Sequence, residues 1–284
     1  MNIINIIEEI EKVDGEIYER LSPRRSAMKD FFNMGKKISL AAMPLALGSM
    51  FQKAYGQSTP TAVTDVLNFA LALEYLEYHF YNHALVAAPT LTIPAGAPTA
   101  AITTIRNHEL AHVNLLKGAL GGSARAEITY AMTDFTAGGL FPLVYSDYLT
   151  FLKVALGFED TGVRAYKGQA TILKGNAVLT TALQIHSVEA RHASHIRQML
   201  AANGATGLKP WISLGPGGIA NDTGVSAVDA VYVRENNDVQ AGVTITGIAT
   251  GVTKAAAVEC FDETLTKAEV VNIANLFLRT GFKL

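Results

Sequence analysis

An internal repeat is the feature that most constrains how this chain can fold. The segment Leu67–Glu74 reads L-x-x-A-L-x-x-E, and Leu152–Glu159 repeats that pattern 85 residues later. A tyrosine follows the glutamate by seven residues in both copies, at Tyr81 and Tyr166. Apolar residues recur at i, i+3, i+4 and i+7 through both segments, which predicts amphipathic helices.

A second repeated pattern, I-x-x-x-E-x-x-H, occurs in Ile105–His112 and again, 80 residues later, in Ile185–His192. Each copy follows one copy of the first pattern, so the repeating unit is a hairpin of two helices. Two such hairpins are predicted to pack around a pseudo-two-fold axis. Each helix then points a mid-helix glutamate from its apolar stripe towards the centre of a four-helix bundle.

Prolines and glycines predict where the four helices begin and end. The predicted helices lie between Pro60 and Pro89, from Pro98 to Gly121-Gly122, from Pro142 to about Lys174, and from Gly175-Asn176 to Asn203-Gly204. The links within each hairpin are short, whereas 21 residues (121–141) join the two hairpins. Because an extended chain covers about 3.3 Å per residue, this link can cross the whole length of the bundle.

The segment His108–His112 also reads H-E-x-x-H, the zinc-binding motif of many metalloproteases. The repeat argues against that interpretation, because the position equivalent to His108 is Val188. What recurs is E-x-x-H alone, and His108 lies about 100° around the helix from the glutamate that follows it. The usual extension to a third ligand also fails, since Leu115 and Gly118 occupy its glycine and histidine positions.

The first helix offers two candidate ligands, Glu74 and Glu77. In the repeat Glu74 aligns with Glu159, whereas Glu77 aligns with Gly162. We therefore assign Glu74 as the metal ligand and expect Glu77 to support the site or to lie at the surface.

These motifs resemble the ferritin-like superfamily, which includes bacterioferritins, rubrerythrins, manganese catalases and exported ferritin-like domain proteins of bacteria. The resemblance covers about residues 61–204, and Leu67–Tyr81 is particularly similar to the first helix of bacterioferritin. It implies two divalent metal ions that are bridged by Glu109 and Glu189. The remaining implied ligands are Glu74 and His112 for one ion, and Glu159 and His192 for the other.

The charges of these residues agree with that implication. Four converging carboxylates repel one another, and two divalent cations balance them while two imidazoles stay neutral. Oxygen-rich ligands with one imidazole per ion suit iron or manganese, and zinc is possible. Tyr81 and Tyr166 are candidate catalytic residues that hydrogen-bond the site carboxylates or donate electrons, with aromatic core packing as the alternative.

The expected function is redox chemistry on ferrous iron, oxygen or peroxide, of ferroxidase, peroxidase or catalase type. The alternative is a structural or stress-associated cell-envelope protein that self-associates and in which the metals only stabilise the bundle.

A net charge of −2 without a basic block gives no reason to expect a nucleic-acid partner. A homo-oligomer is possible. The lone Cys260 excludes an intramolecular disulfide and is expected to be a small buried residue.

Residues 1–56 are similar to an export leader. Pro23–Lys29 resembles a twin-arginine signal, and 15 uncharged residues (38–52) precede a small-x-small cleavage site at Ala54–Gly56. The expected location is the periplasm or cell envelope, reached through the export machinery. The alternative is an apolar helix that packs on a cytoplasmic protein.

Residues 205–284 are rich in glycine, asparagine, threonine and valine. Short strands are predicted at Val231–Val233 and Val243–Ile245, and a final helix at Lys267–Leu278. This segment carries no recognisable chemistry and is expected to cover the bundle or to form a subunit contact. The predicted fold is therefore an all-α, ferritin-like four-helix bundle over residues 57–204 with one long crossover, an N-terminal helical extension and a small mixed C-terminal appendage.

Overall fold

Four long helices form the core of the computed structural model, which describes residues 61–284 except positions 206, 216, 217 and 219. The helices are α1 (Thr61–Val86), α2 (Ala97–Leu120), α3 (Tyr148–Gln169) and α4 (Val178–Ala202). Helix α1 packs along α2, and α3 packs along α4. The predicted all-α bundle of two hairpins is confirmed. The predicted export leader lies outside the described residues.

The crossover between the hairpins runs from Gly121 to Asp147, which is longer than predicted. Helix α3 begins at Tyr148 and not near Pro142, because the Asp147 side chain caps it by accepting a hydrogen bond from the Thr150 backbone N–H at 2.7 Å. Pro142 lies in a run of turns before that cap. The start of the crossover is held against α1, where the Asn68 side chain donates to the Ser123 carbonyl at 2.9 Å.

The C-terminal segment has little regular structure. It contains β1 (Val239–Gln240) and β2 (Val243–Thr244), an antiparallel pair, and the helices α5 (Lys254–Val258) and α6 (Lys267–Ala274). The strand predicted at Val231–Val233 is wrong, because Ser226–Tyr232 forms 3₁₀ turns. Its buried residues pack against the bundle and do not pair with another strand. The final helix begins as predicted, at a capping box in which Thr266 and Glu269 bond reciprocally.

Charged side chains attach the C-terminal segment to the second hairpin. Arg197 of α4 contacts Asp160 of α3 at 2.6 Å, and Asp160 also accepts a hydrogen bond from the Tyr232 hydroxyl at 2.7 Å. Gly168 of α3 allows the C-terminal segment to lie close to this helix, because a side chain at position 168 would collide with the Leu265 carbonyl. The segment thus covers one side of the bundle.

The expectation that Cys260 is buried is wrong. It is exposed after the end of α5, where Ala257 and Val258 take the buried positions of that turn.

None of the described helices combines the length and the apolar character that crossing a membrane requires.

Candidate metal centre

Each long helix places one glutamate in the middle of the bundle. Glu74, Glu109, Glu159 and Glu189 come from α1, α2, α3 and α4 in turn, and none of them is exposed to solvent. The histidines of α2 and α4 follow their glutamates by three residues, which places both side chains on the same helix face. His112 and His192 are 8% and 5% exposed, so the whole cluster is buried.

The six predicted ligands form two groups of donor atoms. Within each group one atom from every residue lies within 4.8 Å of the others. Glu109 and Glu189 belong to both groups. Glu74 and His112 complete the first group, and Glu159 and His192 complete the second. The arrangement therefore has two shared carboxylates in the middle and one carboxylate with one imidazole at each end.

The histidine rings aim their Nδ1 atoms into these groups. His112 Nδ1 lies 3.1 Å from an oxygen of Glu74, of Glu109 and of Glu189. His192 Nδ1 lies 3.0 Å from Glu109 Oε1, and Glu159 and Glu189 oxygens are 3.1 and 3.5 Å away. One ring nitrogen carries at most one hydrogen, so it satisfies only one of three oxygens. A cation between these atoms satisfies all of them at once.

The two repeated tyrosines reach across the bundle and each contacts the other hairpin. The Tyr81 hydroxyl of α1 donates a hydrogen bond to Glu159 Oε1 of α3, and the Tyr166 hydroxyl of α3 donates to Glu74 Oε1 of α1. Burial, reinforced by the neighbouring carboxylate, raises the pKa of both tyrosines well above the ordinary value. They therefore stay protonated and act as hydrogen-bond donors to the terminal carboxylates.

Without cations, protons would have to neutralise this cluster. Burial raises the pKa of Glu74 to about 8, against the opposing effect of His112. Burial also raises the pKa of Glu159. Burial disfavours the charged form of His192, but Glu159 and the shared carboxylates outweigh it and raise the pKa to about 12. For Glu189 the two histidines outweigh burial and lower the pKa.

The shared carboxylates test whether the site fits metal ions. Glu109 Oε1 and both side-chain oxygens of Glu189 are buried, and although a histidine Nδ1 lies 3.0–3.5 Å from each of them, none accepts a well-aligned hydrogen bond. Such unsatisfied buried oxygens are rare in proteins and costly when nothing compensates them. They belong to the two residues that bridge the donor groups, which is where ions held by both groups would bind. The residues present therefore fit a pair of divalent cations.

Comparison with known proteins agrees with this arrangement. Residues 62–202 match the family model of the ferritin-like domain. The chain belongs to the ferritin-like superfamily. The matched range spans α1 to α4 and includes all six residues of the two donor groups. Neither a search of curated proteins nor a search of solved structures gave a match.

The ferritin-like domain departs from its own repeat at Glu77, which is 3% exposed and therefore not a surface residue. Burial raises its pKa well above the ordinary value, and Glu189 raises it further. The residue aligned with it is Gly162 of α3, where a side chain would lie 3.2 Å from Glu77 Oε1. In the repeat a glutamate is aligned with a glycine. That mismatch was the sequence signal that the Glu77 side chain lies in the space left free because Gly162 has no side chain.

His108 is the second position at which the two hairpins differ. It lies outside both donor groups, but its Nδ1 is 2.9 Å from Nε2 of His192 and the two rings stack at 5.2 Å. His108 of the ferritin-like domain therefore orients the His192 ring from a position outside the two donor groups. Sequence reasoning missed this contact, because it joins α2 to α4 and no spacing within either helix encodes it.

Metal affinity of the ferritin-like domain is expected to rise with pH between about pH 6 and 8. Folded-state pKa values of about 8 for Glu74 and about 12 for His192 mean that both hold protons near neutral pH. Cations must displace those protons, and each displaced proton changes the affinity about tenfold per pH unit. Competition titrations at three pH values, with proton release measured by calorimetry in different buffers, test this. An affinity that does not change with pH would contradict it.

Proposed function

We propose that this chain is a di-metal carboxylate oxidoreductase that acts on ferrous iron, oxygen or peroxide. One observation carries the proposal: two buried donor groups share Glu109 and Glu189 at the centre of the bundle. Residues shared in this way would hold two ions side by side, where the ions would supply redox chemistry for one small oxidant. A purely structural site needs no such shared pair.

The donor set favours iron or manganese over zinc. Each position has three carboxylates and one imidazole, and hard oxygen donors of this kind suit iron and manganese. When bound, either metal supplies one-electron redox chemistry with oxygen or peroxide. Six protein ligands shared between two ions leave coordination positions for the small substrate.

The protein's own groups hold the terminal carboxylates in position. The Tyr81 and Tyr166 hydroxyls each occupy one oxygen of a terminal glutamate, which leaves the other oxygen directed at the neighbouring histidine. Hydrogen bonds of this kind fix ligand orientation, and their loss commonly costs about 10–100-fold in metal affinity or activity. The two tyrosines make equivalent contacts, so they are expected to contribute equally.

The proposal is tested by aerobic ferrous-iron oxidation and peroxide consumption with purified full chain. Wild-type protein is expected to bind two ions per chain and to turn over at least one of these substrates. Tyr81→Phe and Tyr166→Phe are each expected to retain both ions and to lose about tenfold in rate. Tyr130→Phe serves as the control, because Tyr130 is 40% exposed and lies outside the donor groups.

One result would contradict the proposed function, and another would contradict the role given to the two tyrosines. Protein that binds two ions and gains thermal stability, yet turns over neither substrate, would favour the alternative in which the metals only stabilise the bundle. Equal losses in all three tyrosine variants would show that the hydroxyls act only through general stability.

A further inference from the structure

A cleft of about 290 Å³ lies between the second hairpin and the C-terminal segment. Val163 of α3 and Ala190 and Ala193 of α4 contribute apolar surface to it, and residues near Trp211 and Cys260 complete the lining. None of the lining residues belongs to the two donor groups, so the proposed redox chemistry does not use this cleft. Its volume lies at the lower end of the range for small-molecule sites, roughly 300–1,000 Å³.

Two neighbouring carboxylates supply hydrogen-bond acceptors to this cleft. Glu235 and Asp262 both line it, and the Glu263 backbone N–H donates to Glu235 Oε1 at 3.0 Å, which brings the two acids together. Arg164 Nε lies 3.0 Å from the same Glu235 oxygen, and Lys167 Nζ lies 3.1 Å from Asp262 Oδ2. No described residue donates a hydrogen bond to Glu235 Oε2 or to Asp262 Oδ1. Because Glu235 is buried, an oxygen without a donor is unusual there.

His186 of α4 adds a third acceptor. Its Nδ1 lies 2.9 Å from the Val163 carbonyl oxygen, and since that oxygen can only accept, Nδ1 carries the hydrogen. In the neutral ring Nε2 is then an acceptor, and no described residue donates to it. His186 lines the cleft together with the two carboxylates, so a bound molecule meets three open acceptors.

The positive charge beside these acceptors is already paired. Among the described residues that line the cleft, Arg197 is the only lysine or arginine. Its Nη2 lies 2.6 Å from Asp160 Oδ2, and its Nε lies 2.6 Å from Asp222 Oδ2. Two carboxylates therefore offset one guanidinium, and Arg197 does not favour an anion in the cleft. The open acceptors instead require a ligand that brings N–H donors.

Trp211 adds an aromatic surface to the cleft. Its side chain is 51% exposed, and the indole is held in place because Nε1 donates to Glu259 Oε2 at 3.1 Å. Phe261 is also exposed and lines the same cleft. The faces of such rings attract cations, and planar cations stack on them. The aromatic surface and the open acceptors therefore favour the same kind of ligand.

We propose that this cleft binds a small planar organic cation, an amidinium or guanidinium that carries an apolar portion. The N–H groups of the cation donate to Glu235, Asp262 and His186, and its apolar portion lies against Trp211. This binding site is separate from the two donor groups and does not depend on the proposed redox function.

Benzamidine is the probe, and Trp211 reports on its binding because the chain contains one tryptophan. Titration of the full chain at pH 8, above the pKa of about 7 of Glu235, is expected to change Trp211 fluorescence saturably. The expected dissociation constant is about 1 mM or lower, which a ligand of this size can reach. Benzamide, the neutral analogue, and benzoate, the anionic one, are expected to bind at least about tenfold more weakly.

Cys260 provides an independent readout. It is the one cysteine of the chain, it is exposed, and it lines the same cleft. Bound benzamidine is therefore expected to slow its alkylation by iodoacetamide, whereas benzamide and benzoate at the same concentration are expected to leave the rate unchanged.

Glu235→Gln is expected to weaken benzamidine binding by about tenfold or more, because it removes the charge and keeps the shape of the side chain. Asp262→Asn changes a partly exposed carboxylate, which the fold tolerates more easily, and is expected to weaken binding by about 2–5-fold. Asp229→Asn is the matched control, because Asp229 is an exposed carboxylate of the same segment and lies outside the cleft. It is expected to bind benzamidine as the wild-type protein does.

Equal affinity for benzamidine, benzamide and benzoate would overturn this inference, since it would show apolar contact without recognition of charge. Unchanged benzamidine binding in both Glu235→Gln and Asp262→Asn would also overturn it, as would the absence of a saturable response in wild-type protein. Each of these results leaves the proposed function intact, because none of the measurements involves the metal centre.

Discussion

Glu189→Ala is expected to remove both metal ions from the protein, whereas Glu74→Ala is expected to leave one. Glu189 belongs to both donor groups, and its two oxygens face the two histidines separately. Glu74 belongs to one group only. His112→Ala and His192→Ala, which lie 80 residues apart, are expected to weaken binding at one position each, by at least about 10–100-fold.

The measurement is metal stoichiometry at saturating metal and again after dialysis against a weak chelator, with helicity checked by circular dichroism. His108→Ala is the discriminating control, because His108 contacts His192 Nε2 but offers no atom to either donor group. It is expected to retain two ions at saturating metal. Loss of metal in His108→Ala but not in His192→Ala would restore the interpretation of H-E-x-x-H as a zinc site.

Arg164→Met is expected to destabilise the fold by about 3–5 kcal/mol, the usual cost of breaking a buried ion pair from one side. Arg164 of α3 is completely buried, and its Nε lies 3.0 Å from Glu235 Oε1. Its guanidinium also donates to the backbone carbonyls of Val231, Val233 and Glu263. Methionine preserves the bulk of the side chain but leaves the carboxylate and these carbonyls without their donor.

The destabilisation is expected to be larger at pH 8 than at pH 6. Burial raises the pKa of Glu235 to about 7, despite the opposing effect of Arg164. Below that value Glu235 is protonated, so loss of the guanidinium leaves only a neutral carboxyl group. Above it the carboxylate is charged, and loss of the guanidinium leaves a buried charge without its partner. Denaturant unfolding at both pH values gives the free energies of unfolding.

Lys209→Gln is the control for this prediction. Lys209 pairs with Glu259 at 2.5 Å in the same C-terminal segment, but its side chain is 46% exposed. An exposed pair of this kind contributes about 0–1 kcal/mol, so little change is expected. Equal destabilisation by the two variants would show that Arg164 does not attach the C-terminal segment to the bundle in the way its contacts indicate.

The sequence by itself determined the four long helices and their common face. Helix periodicity fixes which side chains of one helix share a face, and this needs no knowledge of neighbouring segments. The repeat then identified the six residues of the two donor groups, because Glu74 and Glu159 occupy one aligned position and Glu109 and Glu189 another. The same comparison separated His112 from His108 within H-E-x-x-H.

Only the tertiary structure decided the features that depend on contacts between distant segments. Helix α3 starts at an aspartate cap and not at Pro142, since a side-chain hydrogen bond outweighed the preference of proline for a first turn. Val231 and its neighbours form 3₁₀ turns, because packing against the bundle overrides strand propensity there. The burial of Glu77 and the contact of His108 with His192 likewise depend on which helix faces lie opposite each other. Periodicity within a helix specifies its faces, but the packing of separate helices determines what each face contacts.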